Sequence, residues 1–298
     1  MEPDYYVFTG RERVPRYITH ARIDRSLKFV PARAFYGHPN IEELICHDGV
    51  GKVEEEAFRN CPSLQRVIIP GVKEVEKKAF NRCSALTYIE CGKLERIGEF
   101  AFSLCKSLSS IDLPSIKILK MRALSNCTNL INVTLGIDLE SIVGSGNFFY
   151  CTSLDRIAIP MKDGIFAEDD IFQRCAKLTH IDLVGGVHET VAALLLEEWK
   201  NDMNEEIDAI NRILPNTPAG DAYSDGGKAR EIRRWITSVL HKIIHYKAEH
   251  RRILNEASVT LQGALPNDIV LKSVLPFLEL PSYTFPDRCS SWVCSFCK

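Results

Sequence analysis

Val53-Glu54-Glu55-Glu56-Ala57-Phe58-Arg59-Asn60-Cys61-Pro62-Ser63-Leu64-Gln65-Arg66-Val67-Ile68-Ile69-Pro70 is the stretch from which the fold is read. Val67 and Ile69 share a face, the alternation of a short strand buried on one side. Pro70 ends that strand because it has no N–H to give to a ladder. Val72 to Val75 then turns the chain, and Ala79-Phe80 brings a small and a large residue into a core.

The same pattern recurs on both sides. Cysteines stand at 61, 83, 105, 127, 151 and 175, at steps of 22, 22, 22, 24 and 24. Three residues before them come Phe58, Phe80, Phe102, Leu124, Phe148 and Phe172. Three residues after come Leu64, Leu86, Leu108, Leu130, Leu154 and Leu178, and three further on Val67, Ile89, Ile111, Val133, Ile157 and Ile181. An earlier copy keeps the frame with Ala34-Phe35, His38 in the cysteine position, Ile41 and Leu44. One such unit cannot bury its apolar side alone. Stacking about seven of them creates a continuous core and a parallel sheet.

The unit, I-x-x-x-A-F-x-x-C-x-x-L-x-x-I-x-I-P, resembles the BspA-like class of leucine-rich repeats over about Leu27 to Leu183. The resemblance implies an α/β solenoid: a right-handed leucine-rich-repeat superhelix with a parallel sheet on its concave face, followed here by an α-helical C-terminal region. The departures are His38 for cysteine, Leu124 for phenylalanine, and Asn147 and Ile171 for alanine. The last two copies are two residues longer, near Gly144-Ser145-Gly146 and Asp163-Gly164, which reads as bulged turns. Ile18, Ala21 and Ile23 align with Ile41, Leu44 and Cys46, so Tyr6–Thr9 and Tyr17–Ile23 are expected to cap the first coil.

Stacked coils would set equivalent cysteines about one strand spacing, ~4.8 Å, apart, within the Cα range of a disulfide. A ladder that oxidises or holds a soft metal is therefore one reading. The favoured one is free cysteine filling a small apolar slot.

Two rows of side chains flank the inward positions and point out of the sheet onto the expected inner curve. The first is His20, Glu43, Arg66, Tyr88, Ser110, Asn132, Arg156 and His180; the second is Arg22, Ile45, Ile68, Glu90, Asp112, Thr134, Ala158 and Asp182. Their mixed charge, aromatic and aliphatic character suits a protein partner better than a phosphate backbone. The partner-binding candidates are Arg66, Ile68, Tyr88, Glu90, Asp112, Asn132, Arg156 and His180.

After Gly185-Gly186 the pattern changes. Apolar residues at 187, 191, 195, 199, 203, 207 and 210 have a helical period that Pro215 ends. The linker 215–227 is turn-rich, and a second helix carries Ile232, Ile236, Val239, Ile243, Tyr246, His250, Ile253 and Ala257 as its stripe. Gly186–Leu214 has net charge −5 and Lys228–Arg252 net charge +6. An antiparallel, coiled-coil-like pair with opposite charges facing explains this. The alternative is a basic surface of Arg230, Arg233, Arg234, Lys242, Lys247, Arg251 and Arg252 for nucleic acid or membrane. A third amphipathic piece, Asp268–Leu278, is expected to fold back on the pair or to bind a partner. The stretch His245 to Leu278 resembles the tail of diatom repeat proteins of this type.

The expected organisation is a cap at 1–26, a solenoid at 27–185, an acidic amphipathic helix at 186–214, a linker at 215–227, a basic helical region at 228–280 and a tail at 281–298.

Little in the chain carries chemistry. His241 and His245 share a helix face, but Lys242 stands where a metalloprotease needs glutamate. Cys289, Cys294 and Cys297 lack a fourth ligand for zinc. Neither Gly144-Ser145-Gly146 nor Gly226-Gly227-Lys228 completes a nucleotide loop. The overall charge of −2 gives no global attraction for nucleic acid. The N-terminus shows no apolar run of signal length, and Val191–Leu196 is too short to span a bilayer. The expectation is a cytoplasmic, non-enzymatic scaffold without metal or cofactor. It binds a protein partner, with nucleic acid or membrane as lesser candidates and self-association through the C-terminal helices possible.

Overall fold

A computed structural model describes residues 5–10, 12–166, 168–220 and 227–262. The expected third amphipathic piece and the three tail cysteines lie outside the described residues. The chain divides into two compact units, Met1–Val184 with Asp208–Ser238, and Gly185–Ile207 with Val239–Lys298.

The first unit is the solenoid. Its strands are β1 (Tyr6–Phe8), β2 (His20–Ile23), β3 (Phe29–Val30), β4 (Glu43–Ile45), β5 (Lys52–Val53), β6 (Arg66–Ile68), β7 (Glu74–Val75) and β8 (Tyr88–Glu90). Then follow β9 (Arg96–Ile97), β10 (Ser110–Leu113), β11 (Ile118–Leu119), β12 (Asn132–Leu135), β13 (Ser141–Ile142), β14 (Arg156–Pro160) and β15 (His180–Val184). The face of the solenoid is a parallel ladder β1-β2-β4-β6-β8, continued by a second, β10-β12-β14-β15. Between them the strand hydrogen bonding is interrupted.

The stretch after each face strand, expected only to turn the chain, forms a further parallel ladder of six two-residue strands, β3-β5-β7-β9-β11-β13. It places Val30, Val53, Val75, Ile97, Leu119 and Ile142 in register, each almost fully buried. The first letter of the repeat is thus a strand position. Two residues are too few to show a strand's alternation in sequence.

Phenylalanines form a stack through the core. Phe8, Phe35, Phe58, Phe80 and Phe102 have neighbouring ring centroids 5.0, 4.7, 5.2 and 5.2 Å apart. Leu124 interrupts it, and Phe148 and Phe172 resume it at 5.5 Å. Phe8 belongs to β1, so the N-terminal segment extends the stack beyond the first repeat, and β1 pairs with β2 as a cap would. Beside the stack runs the cysteine ladder. Each thiol donates to a carbonyl of the preceding coil: Cys61 to Phe35, Cys83 to Phe58, Cys105 to Phe80 and Cys127 to Phe102, at 3.0–3.3 Å. Cys151 and Cys175 continue it onto Leu124 and Phe148. His38 plays the same part in the first coil, where its Nε2 meets the Pro15 carbonyl at 2.8 Å. A longer side chain reaches a more distant acceptor in the cap.

The turn around each Ala-Phe pair holds residues in the left-handed region. Arg33, Glu56, Lys78, Phe100 and Arg122 precede the alanine, with φ of 53–58°. Gly37, Asn60, Arg82, Leu104, Asn126, Tyr150 and Arg174 precede the cysteine position, with φ of 60–66°. The N–H of the second set bonds the next coil, as in Asn60 to Asn81 O at 2.8 Å and Arg82 to Ser103 O at 2.9 Å.

The last coil is closed by residues 208–238. Arg174 N–H bonds Ala219 O at 3.2 Å, so Ala219 takes the place a further coil would fill. Asn211 mimics a neighbouring strand for β15: its Oδ1 accepts Ile181 N–H at 2.8 Å and its Nδ2 donates to Ile181 O at 3.2 Å. Lys228 is buried, and its Nζ donates to the carbonyls of Leu178 and Leu214. Burial lowers its pKa, and it contributes nothing to a basic surface. These contacts answer the open-edge problem of a solenoid end.

The single helix expected over 186–214 is divided into α1 (Val187–Ala192) and α2 (Glu197–Ile213), followed by a 3-10 turn, Leu214–Asn216. The interruption at 193–196 buries Leu194 and leaves Leu195 exposed, so the helical period does not run through it. The basic helix, α3 (Lys228–Gln262), is continuous for 35 residues. Within the second unit Trp199 stacks on Tyr246 at 5.1 Å. Asp202 accepts from Lys242 at 3.0 Å and from Tyr246 at 2.7 Å, and Lys242 also pairs with Glu206 at 3.0 Å. Later α3 residues meet earlier α2 residues, so the helices pair antiparallel within one chain, with opposite charges facing.

Candidate functional site: the sheet face

The two rows read from the sequence are in register. His20, Glu43, Arg66 and Tyr88 stand opposite one another along the first ladder, and Ser110, Asn132, Arg156 and His180 along the second. Arg22, Ile45, Ile68 and Glu90, then Asp112, Thr134, Ala158 and Asp182, make the other row. Between the rows the inward residues Ala21, Leu44, Val67, Ile111, Val133, Ile157 and Ile181 are buried. Alternation along a strand fixes the rows outward once the core positions are fixed inward.

Each end of the face has its own chemistry. Near β2–β8, Arg66 pairs with Glu43 at 2.9 Å and lies 4.8 Å over the Tyr88 ring, which is 45% exposed. Ile45 and Ile68 sit side by side, half-buried. Tyr5, absent from the sequence-derived rows, joins this end. It hydrogen-bonds Glu43, which raises its pKa, and carries Arg22 4.0 Å above its ring. Exposed Val7, opposite Arg22 in β1, was the alternation signal for it. At the far end Arg156 grips both carboxylate oxygens of Asp182, at 3.0 and 2.9 Å.

Among the described residues Asp155, Thr179 and His180 lie together as a nucleophile constellation would, and their geometry argues against one. Thr179 Oγ1 lies 2.6 Å from Asp155 and 2.7 Å from His180 Nδ1. The carboxylate takes the one hydroxyl proton, so the imidazole must donate to the oxygen and cannot act as its base. A shallow hollow of about 480 Å³ lies elsewhere in the first unit, between Tyr150, Thr152, Arg174, Ala176 and Pro218–Gly220. Among the described residues no three His, Cys, Asp or Glu side chains are grouped to hold a metal ion. The cysteines from Cys46 to Cys175 are free and buried. Burial pushes Cys46, Cys91, Cys127 and Cys175 up to about 12, so they are thiols at neutral pH and unreactive.

The candidate basic surface is largely engaged. Arg230 and Arg233 pair with Asp169, Arg234 with Glu231, Lys242 with Asp202 and Glu206, and Arg252 with Glu249 and Glu256. Lys247 is partly buried, which lowers its pKa, and Arg251 is exposed. No helix among the described residues is long and apolar enough to cross a membrane.

Coils with stacked core positions, face strands of three to five residues and a variable outward face define a leucine-rich-repeat solenoid. Residues 16–94 and 74–191 match the BspA type leucine rich repeat region, in six copies, and the chain belongs to that family. Leucine-rich-repeat proteins are generally protein-interaction scaffolds. A leucine rich repeat protein of T. pallidum is 22% identical, over 62% of this chain and 75% of that one, with a TM-score of 0.37. One from Bacteroides ovatus is 19% identical, over 57% and 61%, with a TM-score of 0.31. A chain of the Drosophila Toll–Spatzle complex is 16% identical, over 56% of this chain but 23% of that one, with a TM-score of 0.38. No curated protein matches the sequence.

Proposed function

We propose that this chain is a protein-interaction scaffold whose contact surface is the sheet face, on the inner curve of the solenoid, through Arg66, Ile68, Tyr88, Glu90, Asp112, Asn132, Arg156 and His180. One observation carries the reading: two rows of chemically varied, outward side chains run in register over a core that repeats. A solenoid of this build holds such rows rigidly, so the ordering cost of binding is low. The mixture of aromatic, aliphatic and paired charged groups matches a protein interface. The basic helix is the weaker candidate, because acidic neighbours neutralise most of its cations.

Chemical cross-linking and capture from native lysate, with the full chain as bait, tests this. Asn132→Arg and Tyr88→Ala should each abolish or sharply reduce capture of a defined protein, while Arg251→Glu leaves it intact. Capture that survives both face variants and is lost with Arg251→Glu would overturn the reading.

A further inference from the structure

The strongest unexplained feature of the face is its self-complementarity at the β2–β8 end. From β2 to β8, one row runs Arg22, Ile45, Ile68, Glu90 and the other His20, Glu43, Arg66, Tyr88. Arg22, whose guanidinium lies over the Tyr5 ring, and Glu90 are exposed, and among the described residues neither has an opposite charge paired with it. Ile45 and Ile68 form an apolar pair at the centre of a solvated sheet.

We propose that this end of the face is an interface between two copies of the chain. The proposal rests on the contact-surface reading above and names the partner at one end of it. A two-fold axis along the strand direction, midway between β4 and β6, turns a second copy face down. It reverses the strand order and leaves each row opposite itself. Arg22 then meets Glu90 of the second copy, Ile45 meets Ile68, Glu43 meets Arg66, and His20 meets Tyr88. Every contact occurs twice, as a two-fold interface requires. The Glu43–Arg66 pair, already formed at 2.9 Å, lies beside its copy and makes a four-charge network. The register is specific: moving the axis one strand either way sets Arg22 or Glu90 against an isoleucine. The patch spans roughly 200–300 Å² at a strand spacing of ~4.8 Å, well under the ~800 Å² per partner of a standard interface. The dimer is therefore weak and reversible.

Sedimentation velocity of the purified full chain, from micromolar to near-millimolar, is the test. The average mass should climb from one chain toward two. Arg22→Glu and Glu90→Arg should each weaken self-association about tenfold or more, by setting like charges face to face. An equimolar mixture of the two variants should recover it, because both cross-contacts again join glutamate to arginine. Circular dichroism verifies that each variant is folded. A chain that stays monomeric overturns the proposal, as do variants that associate like the parent or a mixture that recovers nothing. If the chain is monomeric while Asn132→Arg still abolishes capture, the contact-surface reading stands and only the dimer falls.

Discussion

A few residue types, used at fixed places, carry most of this fold. Phenylalanine supplies bulk: Phe80 is fully buried and stacked on both sides. Phe80→Ala should cost roughly 3–5 kcal/mol in a urea melt, and a near-neutral value would mean the coil core is misassigned. The cysteine does something alanine cannot, because its thiol bonds the coil below while occupying an apolar slot. Its ionisation also couples to stability. The unfolded thiol ionises near 9.0, whereas buried Cys127 does so at about 12. The stabilisation is complete below the unfolded value and is lost as pH rises from about 9 toward 12. Urea midpoints measured across that range should fall, and less steeply in Cys127→Ala; equal slopes would contradict the assignment. Arg82 is exposed with φ 64°, a conformation glycine adopts more easily. Arg82→Gly should therefore raise stability by up to about 1 kcal/mol, despite the entropy glycine brings to the unfolded chain.

At the scale of elements, what the sequence revealed depended on periodicity. Face strands were legible because inward and outward residues alternate and the pattern returns every 22 to 24 residues. The same alternation placed both rows of the face correctly, since a strand that buries Val67 must expose Arg66 and Ile68. The second ladder was not legible, because Glu74–Val75 and its equivalents are two residues long. The closure of the last coil was hidden for another reason. Asn211, Ala219 and Lys228 reach residues 30 to 50 positions away by single polar contacts that belong to no repeat. Their importance is measurable. Asn211→Ala leaves the Ile181 N–H and carbonyl of an otherwise covered edge without partners. It should cost about 1–3 kcal/mol by denaturant melt. A neutral result would mean that β15 needs no such cover.

For the molecule as a whole, stacking makes stability a sum of coil interfaces and leaves the sheet face free to vary without loss of fold. That separation is why the core was legible in the sequence and the use of the face was not: core positions repeat, whereas face positions follow no rule within the chain. Hydroxyl-radical footprinting of the full chain, alone and with its captured partner, tests whether the sheet face makes the contact. Contact through the face should make Tyr88, Ile68 and His180 lose reactivity, while Tyr36 and Tyr150 on the turns and Ile244 on α3, all exposed, do not change. Protection confined to Ile244 and its helix, with Tyr88 and His180 unaltered, would contradict it.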